Sequence, residues 1–374
     1  MKKRAFALLV ALMCLAGGPP ACAGGPSGPL EPTAPAWTAY DPALHYYYWQ
    51  LTDPEKRAFS GRYDSIALGD AARWDDCGLD AAGLARVDYA LLTDCPELMY
   101  MPTSTGAAGE LLPPDADYCA RHPGEIEAML ADCRAAFGEM ARRPEWDETD
   151  YGRQLAADRF IAGRCRYAVE QDFGGAAYAP DPALRTAHAA LAGGEATCVG
   201  YAQGVQLALR CLDIPCLMVY GYVRDGEGRS VPHAWNMAEI DGAWYHHDAT
   251  WDDRLDEAFL EDYLPYFNLS SAEIGRSHAD DPARPALGFS LPACEDTRAN
   301  YYAVEGRMLD GGWREALPRL LQTAREEGRG ALGVRFESAY LFREALNALR
   351  RGEAGAADMT AETREDVNFI YLRW

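Results

Sequence analysis

The stretch from Glu195 to Trp251 constrains this chain more than any other. Glu195-Ala196-Thr197-Cys198-Val199-Gly200-Tyr201-Ala202-Gln203-Gly204 follows a break at Gly193-Gly194 and runs into apolar residues at helical spacing, among them Val205, Leu209 and Leu212. Cys216-Leu217-Met218-Val219-Tyr220 then reads as a continuous apolar strand, Val231 to Ile240 as a second strand and Ala243 to Ala249 as a third. Asp225 to Gly228 reads as a turn, and Asp241-Gly242 is a hairpin signal. A helix followed by an antiparallel sheet is expected. It would carry Cys198 at the start of the helix, His233 on the second strand and Asp248 at the end of the third.

A thiol, an imidazole and a carboxylate in that order can form a nucleophile–base–orienter relay. A thiol attacks only as thiolate, and its pKa falls at a helix N-terminus or beside an imidazolium. Cys198 sits at such a loop–helix junction, where its backbone N–H would also serve as an oxyanion donor. Gly200 lets the first turn pack closely or lets substrate approach. The hairpin can bring His233 and Asp248 side by side, and a carboxylate there would fix the imidazole tautomer. Each residue has a plainer role available: a buried small thiol for Cys198, a structural strand residue for His233. His246-His247-Asp248 suggests a metal only weakly. Adjacent strand residues face opposite ways, and no Cys-x-x-Cys accompanies them, so no metal site is expected. Gln203, Trp235, Asn236 and Trp251 are accessory candidates. The two tryptophans suit either core packing or the lining of an acyl tunnel.

With these residues in view, the chain resembles a bacterial member of the transglutaminase-like superfamily, within the wider papain-like cysteine fold. The resemblance rests on Cys198-Val199-Gly200-Tyr201-Ala202, on His233-Ala234-Trp235-Asn236, and on Trp244 with Asp248-Ala249-Thr250-Trp251. Ala196 stands where the family commonly has Gly. The flanks Asp94-Cys95-Pro96-Glu97-Leu98-Met99-Tyr100, Tyr266-Phe267-Asn268-Leu269-Ser270 and Ser277-His278 are also similar and are expected to carry no chemistry. The resemblance implies an α+β transglutaminase-like or papain-like core with a Cys198–His233–Asp248 triad. It implies acyl transfer on amide or peptide substrates through a thioester, with no cofactor, and hydrolysis ahead of cross-linking. Some animal relatives depend on calcium, but nothing here resembles a calcium loop. The alternative is a catalytically silent cell-surface binding module.

The rest of the chain divides around that core. Lys2-Lys3-Arg4, an apolar run from Ala5 to Ala16 and Ala21-Cys22-Ala23 read as a secretory signal over residues 1–23, with a lipoprotein anchor at Cys22 as the rival. No apolar run is long enough for a transmembrane anchor. The protein is expected to be secreted or on the cell surface, acting on a protein or peptide substrate, with the cell envelope as one source of it. Removing the three positive charges of the signal from the formal −22 leaves −25, the wrong sign for nucleic acid. Gly24 to Pro35 reads as a tether within a linker over 24–40. Residues 41–122 form a mostly helical region, 123–299 the catalytic core and 300–374 a small α/β region. Helices are expected from Thr52-Asp53-Pro54-Glu55 and from Asp80, over Gly124 to Arg142, over Asp150 to Val169 and, briefly, over Pro182 to Leu191. Further helices are expected over Glu257 to Leu264, Arg314 to Glu326 and Ser338 to Arg350. Strands are expected at Leu98 to Met101, Tyr301 to Met308, Ala331 to Phe336 and Val367 to Leu372. Apart from Cys198 and the two signal cysteines, eight remain, which permits up to four disulfides or none.

Overall fold

The structure, a computed structural model, describes residues 45–99, 111–122, 124–144, 146–168, 181–224, 228–253, 262–353 and 359–374. The signal, the tether, the turn at 103–109, the loop at 174–180, most of the turn at 225–228 and residues 257–261 of the helix expected over 257–264 lie outside them. Everything below belongs to one unit within 34–374.

The Thr52 N–H donates to Glu55 Oε2 at 2.7 Å and opens helix α1 (Asp53–Leu68). Asp80 caps α2 (Ala81–Asp94) by accepting from the Gly83 N–H. The apolar stripes of the two helices meet in one core cluster that includes Phe59, Ile66, Val87 and Leu91. Tyr47, in the aromatic run before α1, is fully buried and its hydroxyl donates to Met218 O at 2.9 Å. It is a core anchor, whereas its neighbour Trp49 is exposed.

Leu98 and Met99 are not in a strand. Pro96–Leu98 is a single tight turn and Met99 is left-handed at φ 50°, while Tyr100 and Met101 lie outside the described residues. Pro96 fixes its own φ and withholds an N–H from any ladder, which outweighs the apolar run that follows.

Helices α3 (Gly124–Met140) and α4 (Asp150–Arg164) come next. Helix α4 ends five residues earlier than expected. Cys165 turns extended, and β1 (Arg166–Tyr167) pairs in parallel with β2 (Glu195–Ala196). Pro182–Arg185 and Ala189–Gly193 are two separate turns, not one helix. Helix α5 (Cys198–Arg210) is buried along its whole length. It lies on one face of a four-stranded antiparallel sheet of order β5-β4-β3-β6. The strands are β3 (Cys216–Arg224), β4 (Ser230–Ile240), β5 (Ala243–His247) and β6 (His278–Asp280). Asp241 and Gly242, at φ 51° and 82°, make the two-residue turn that pairs Ile240 with Ala243. Alternation along β3 and β4 sends Ala238 and Ile240 into the α3–α4–α5 core, and Leu217, Val219 and Met237 into the α1–α2 core. The sheet is therefore covered on both faces.

After β6 the chain builds a second sheet of order β7-β8-β10-β9. Its elements are β7 (Met308–Leu309), α6 (Trp313–Glu326), β8 (Ala331–Phe336), α7 (Ala339–Arg350), β9 (Thr360–Arg364) and β10 (Phe369–Arg373). Strand β7 runs parallel to β8, and the other pairs are antiparallel. Helices α6 and α7 cover one face through Leu317, Leu321, Phe342 and Leu346. The other face, through Phe369 and Tyr371, packs on Tyr263, Phe267 and Leu155.

Residues 301–308 are mostly not strand. Asn300 accepts from the Tyr302 N–H and starts a helical turn, Tyr301–Val304. A local cap overrides the β-preference of paired tyrosines. Asp262–Leu264 are not helical. All nine described cysteines are free thiols, five of them buried in addition to Cys198. Of the two arrangements left open, small buried residues rather than cross-links is the one adopted. The fold is α+β, and among the described residues no helix is long and apolar enough to cross a membrane.

Candidate active site

Thr197 stands extended before α5 (φ −84°, ψ 174°), and its side chain caps none of the helix N–H groups. The first turn therefore keeps N–H groups available for a ligand, at the positive end of the helix dipole. Cys198 opens that turn, buried among Val199, Ala202, Met218 and Ala234, with Tyr167 and Tyr220 packed alongside. A Cβ on Gly200 would lie 2.5 Å from Leu184 O and 2.9 Å from the Ala196 Cβ. The glycine is there for close packing: it lets the Cys198 turn seat against the backbone of the Pro182–Arg185 turn.

Asp248 leaves the end of β5 and caps a one-turn helix, Ala249–Asp252, so the third strand stops at His247. Its Oδ1 accepts from the backbone N–H groups of Thr250 (3.0 Å) and Trp251 (3.2 Å). Its Oδ2 faces two imidazoles, His233 Nε2 at 2.7 Å and His278 Nε2 at 2.9 Å. Burial alone would raise the Asp248 pKa. The charge and hydrogen bond of His233, then the hydrogen bond of His278, outweigh it and hold the carboxyl well below the usual range. For His233, burial would lower the pKa. The Asp248 charge and hydrogen bond, with a further hydrogen bond to the Cys198 thiol, raise it to about 10. Because Nε2 is committed to Asp248, Nδ1 is the ring nitrogen left for the thiol.

Gly221 explains how the rings fit. It pairs with His233 on β4 and with Asp280 on β6, so His233, Trp235 and His278 share one face of the sheet. A Cβ on Gly221 would lie 2.6 Å from the Trp235 ring, which occupies the hollow the glycine leaves. Trp235 stacks on His233 with ring centroids 6.3 Å apart and meets His278 edge-on at 5.0 Å. Its Nε1 donates to His246 Nδ1 at 3.1 Å. Trp251 lies 5.9 Å from His233 and 4.7 Å from His278. Both tryptophans therefore wall the imidazole pair. Asn236 faces the other way, and its Nδ2 donates to Ala202 O at 2.9 Å, tying β4 to α5. Gln203 is buried within α5.

His278 is the residue that sequence reasoning missed. It is one His in a flank without periodicity, and only the pairing of β6 with β3 brings it to Asp248.

As alternation requires, His247 points away from the site. Its Nε2 meets Asp158 Oδ1 on α4 at 2.6 Å, and Gln154 and Asn268 bond to each other beside it. Among the described residues, three clusters bring possible metal donors within 4.8 Å of one another: His45, Cys95 and Glu97; His233, Asp248 and His278; Asp158, His247 and Asp252. In each, an imidazole–carboxylate hydrogen bond already joins two of the donors.

Residues 139–249 match the family model of the transglutaminase-like superfamily. No curated protein matches the chain. Among solved structures, a candidate cysteine protease from Cytophaga hutchinsonii is similar at 20% identity and a TM-score of 0.25, over 40% of this chain and 46% of that one. A protein described as a TGase is similar at 19% identity and a TM-score of 0.26, over 34% of this chain and 33% of that one. The chain thus spans less than half the length of either. The family match thus places a transglutaminase-like domain at residues 139–249, and that segment contains Cys198, His233 and Asp248.

Proposed function

We propose that this protein is a cysteine-dependent acyl-transfer enzyme acting on amide or peptide bonds, with hydrolysis as its resolving step. One observation carries the reading. A buried imidazole bonds a carboxylate through Nε2 at 2.7 Å while its ring also meets a thiol at the N-terminus of an uncapped helix.

The roles follow from that geometry. His233 takes the Cys198 proton at Nδ1, and Asp248 stabilises the imidazolium through Nε2–H. The thiolate adds to the substrate carbonyl, and the first-turn N–H groups of α5 receive the developing oxyanion. The imidazolium returns its proton to the leaving amine as the C–N bond breaks, leaving a thioester on Cys198. His233 then deprotonates water, which attacks the thioester and releases the acid and the thiol. An amine in place of water would give cross-linking by the same steps.

The test is an acyl-donor panel of peptides and primary amides, run with and without an added amine and read by mass spectrometry. Release of the free acid in the presence of amine supports hydrolysis. Quantitative amine adducts favour cross-linking. No turnover, together with uniformly slow alkylation of all thiols, favours the binding module.

The substrate is a protein or peptide met outside the cytoplasm. N-terminal sequencing of the exported protein should begin near Gly24, and an acylated Cys22 would replace this with the lipoprotein reading.

A further inference from the structure

The Asp248 carboxylate is held at both oxygens, and one of its holders has no part in the relay. His278 reaches the same Oδ2 as His233, at 2.9 Å against 2.7 Å. Its other nitrogen, Nδ1, lies 3.0 Å from the Ser277 hydroxyl. Asp248 is held ionised and its Oδ2 can only accept, so the proton of a neutral His278 sits on Nε2 and points at Asp248. Burial keeps the ring in that neutral form, against the opposing pull of Asp248. Trp251 at 4.7 Å and Trp235 at 5.0 Å fix the plane of the ring, and Tyr266 lies 5.9 Å away. The charged or titratable groups around it are Asp248, His233, His246 and Asp366.

We propose that His278 is a positioning residue: its Nε2–H pins Asp248 Oδ2 in the line of the His233 ring, so that the carboxylate is clamped at both ends. This rests on the acyl-transfer reading above. Without His278, Oδ1 would still be held by the Thr250 and Trp251 N–H groups, but Oδ2 would be held by His233 alone and could swing with that ring. A carboxylate that swings holds the imidazolium less well, and the thiolate loses part of its counter-charge. The hydrogen bonds of His278 go to Asp248 and Ser277 and not to the thiol, so its effect should fall on the chemical step and not on binding.

The experiment compares the full chain with His278→Phe, which keeps a ring but removes the donor, and with His278→Gln, whose amide N–H can reach the same oxygen. Two readouts are taken: kcat and KM on the best acyl donor, and the pH profile of iodoacetamide alkylation at Cys198, which needs no substrate. His278→Phe should lower kcat about tenfold with KM within about twofold, the pattern of a lost transition-state contribution. Its alkylation profile should move to higher pH by about one unit, as the thiolate becomes harder to form. His278→Gln should recover most of both. An unchanged or downward-shifted profile in His278→Phe overturns the proposal. So does equal impairment of the two variants in proportion to lost thermal stability, which would make His278 a packing residue. His233→Ala is the control for the underlying reading. If that variant alkylates like the parent, the relay itself fails, whatever His278 does.

Discussion

Asp248→Asn is the perturbation whose consequences the structure defines most closely. The amide presents an oxygen on one side and an N–H pair on the other. With the oxygen toward Thr250 and Trp251 the cap survives, since Asn caps as well as Asp. The amide then meets two imidazole N–H groups with a donor where each had an acceptor. Turned the other way, the amide sets its donor against the two backbone N–H groups instead. Neither orientation satisfies all four. Two hydrogen bonds to a charged acceptor are lost at about 1.5–3 kcal/mol each, about 3–6 kcal/mol together. That is a large share of the roughly 5–15 kcal/mol by which domains are stable. His233 would escape the clash by moving its proton to Nδ1, the nitrogen that must accept from the thiol. Turnover should therefore fall by about 10²–10⁴, in the range seen when a triad orienter is removed. Denaturant titration measures the stability, and mass-mapped alkylation of Cys198 together with turnover measures the reactivity, both at low temperature so that the variant stays folded. If Asp248→Asn alkylates at Cys198 as fast as the parent and unfolds at the same denaturant concentration, the carboxylate neither tunes the thiol nor anchors the rings, and the argument fails.

Further expectations follow from the same geometry. Cys198→Ala should abolish turnover, and a Cys198/His233 double replacement should be no worse than the single one, because residues that act as a unit are not additive. Retained turnover in Cys198→Ala would move the nucleophile elsewhere. Gly200→Ala should destabilise by about 1–3 kcal/mol in thermal melts, since the clash is with the Leu184 carbonyl and Ala196, neither of which is a flexible chain end; a neutral result would mean the turn beneath α5 can yield. Stability should depend on pH in both directions from about 6.5. His233 is raised from 6.5 to about 10, so its contribution is whole below 6.5 and lost as pH rises through about 10. His246 is lowered to about 3, chiefly by burial and then by the charge of His278, so its contribution is whole above 6.5 and lost as pH falls toward about 3. Calorimetry across pH checks this, and His246→Gln should flatten part of the acid limb while leaving the alkaline limb unchanged.

What the sequence determined by itself is what adjacent residues decide among themselves. Helix α5 and strands β3 to β5 were legible because their apolar periodicity changes sharply at Cys198 and Cys216, and because Asp241-Gly242 admits a two-residue turn. The opposite facing of His247 and Asp248 followed from alternation alone. Where local signals compete, the sequence was ambiguous. Pro96 and Asn300 start turns inside runs that also suit strands, and α4 ends where Cys165 leaves to pair with a strand some thirty residues away. Thr360–Arg364 gives no strand signal because three of its five side chains face solvent and none is buried, and only pairing with β10 makes it a strand. Only the tertiary structure decided that Gly221 opens a hollow for Trp235, that Gly200 serves packing, and that His278 arrives on an edge strand to share Oδ2 of Asp248. The reason is physical. A cap or a periodicity is fixed by energies within one turn of the chain. Two imidazoles meet on one oxygen only when strands distant in sequence settle into a single register, and no local pattern records that.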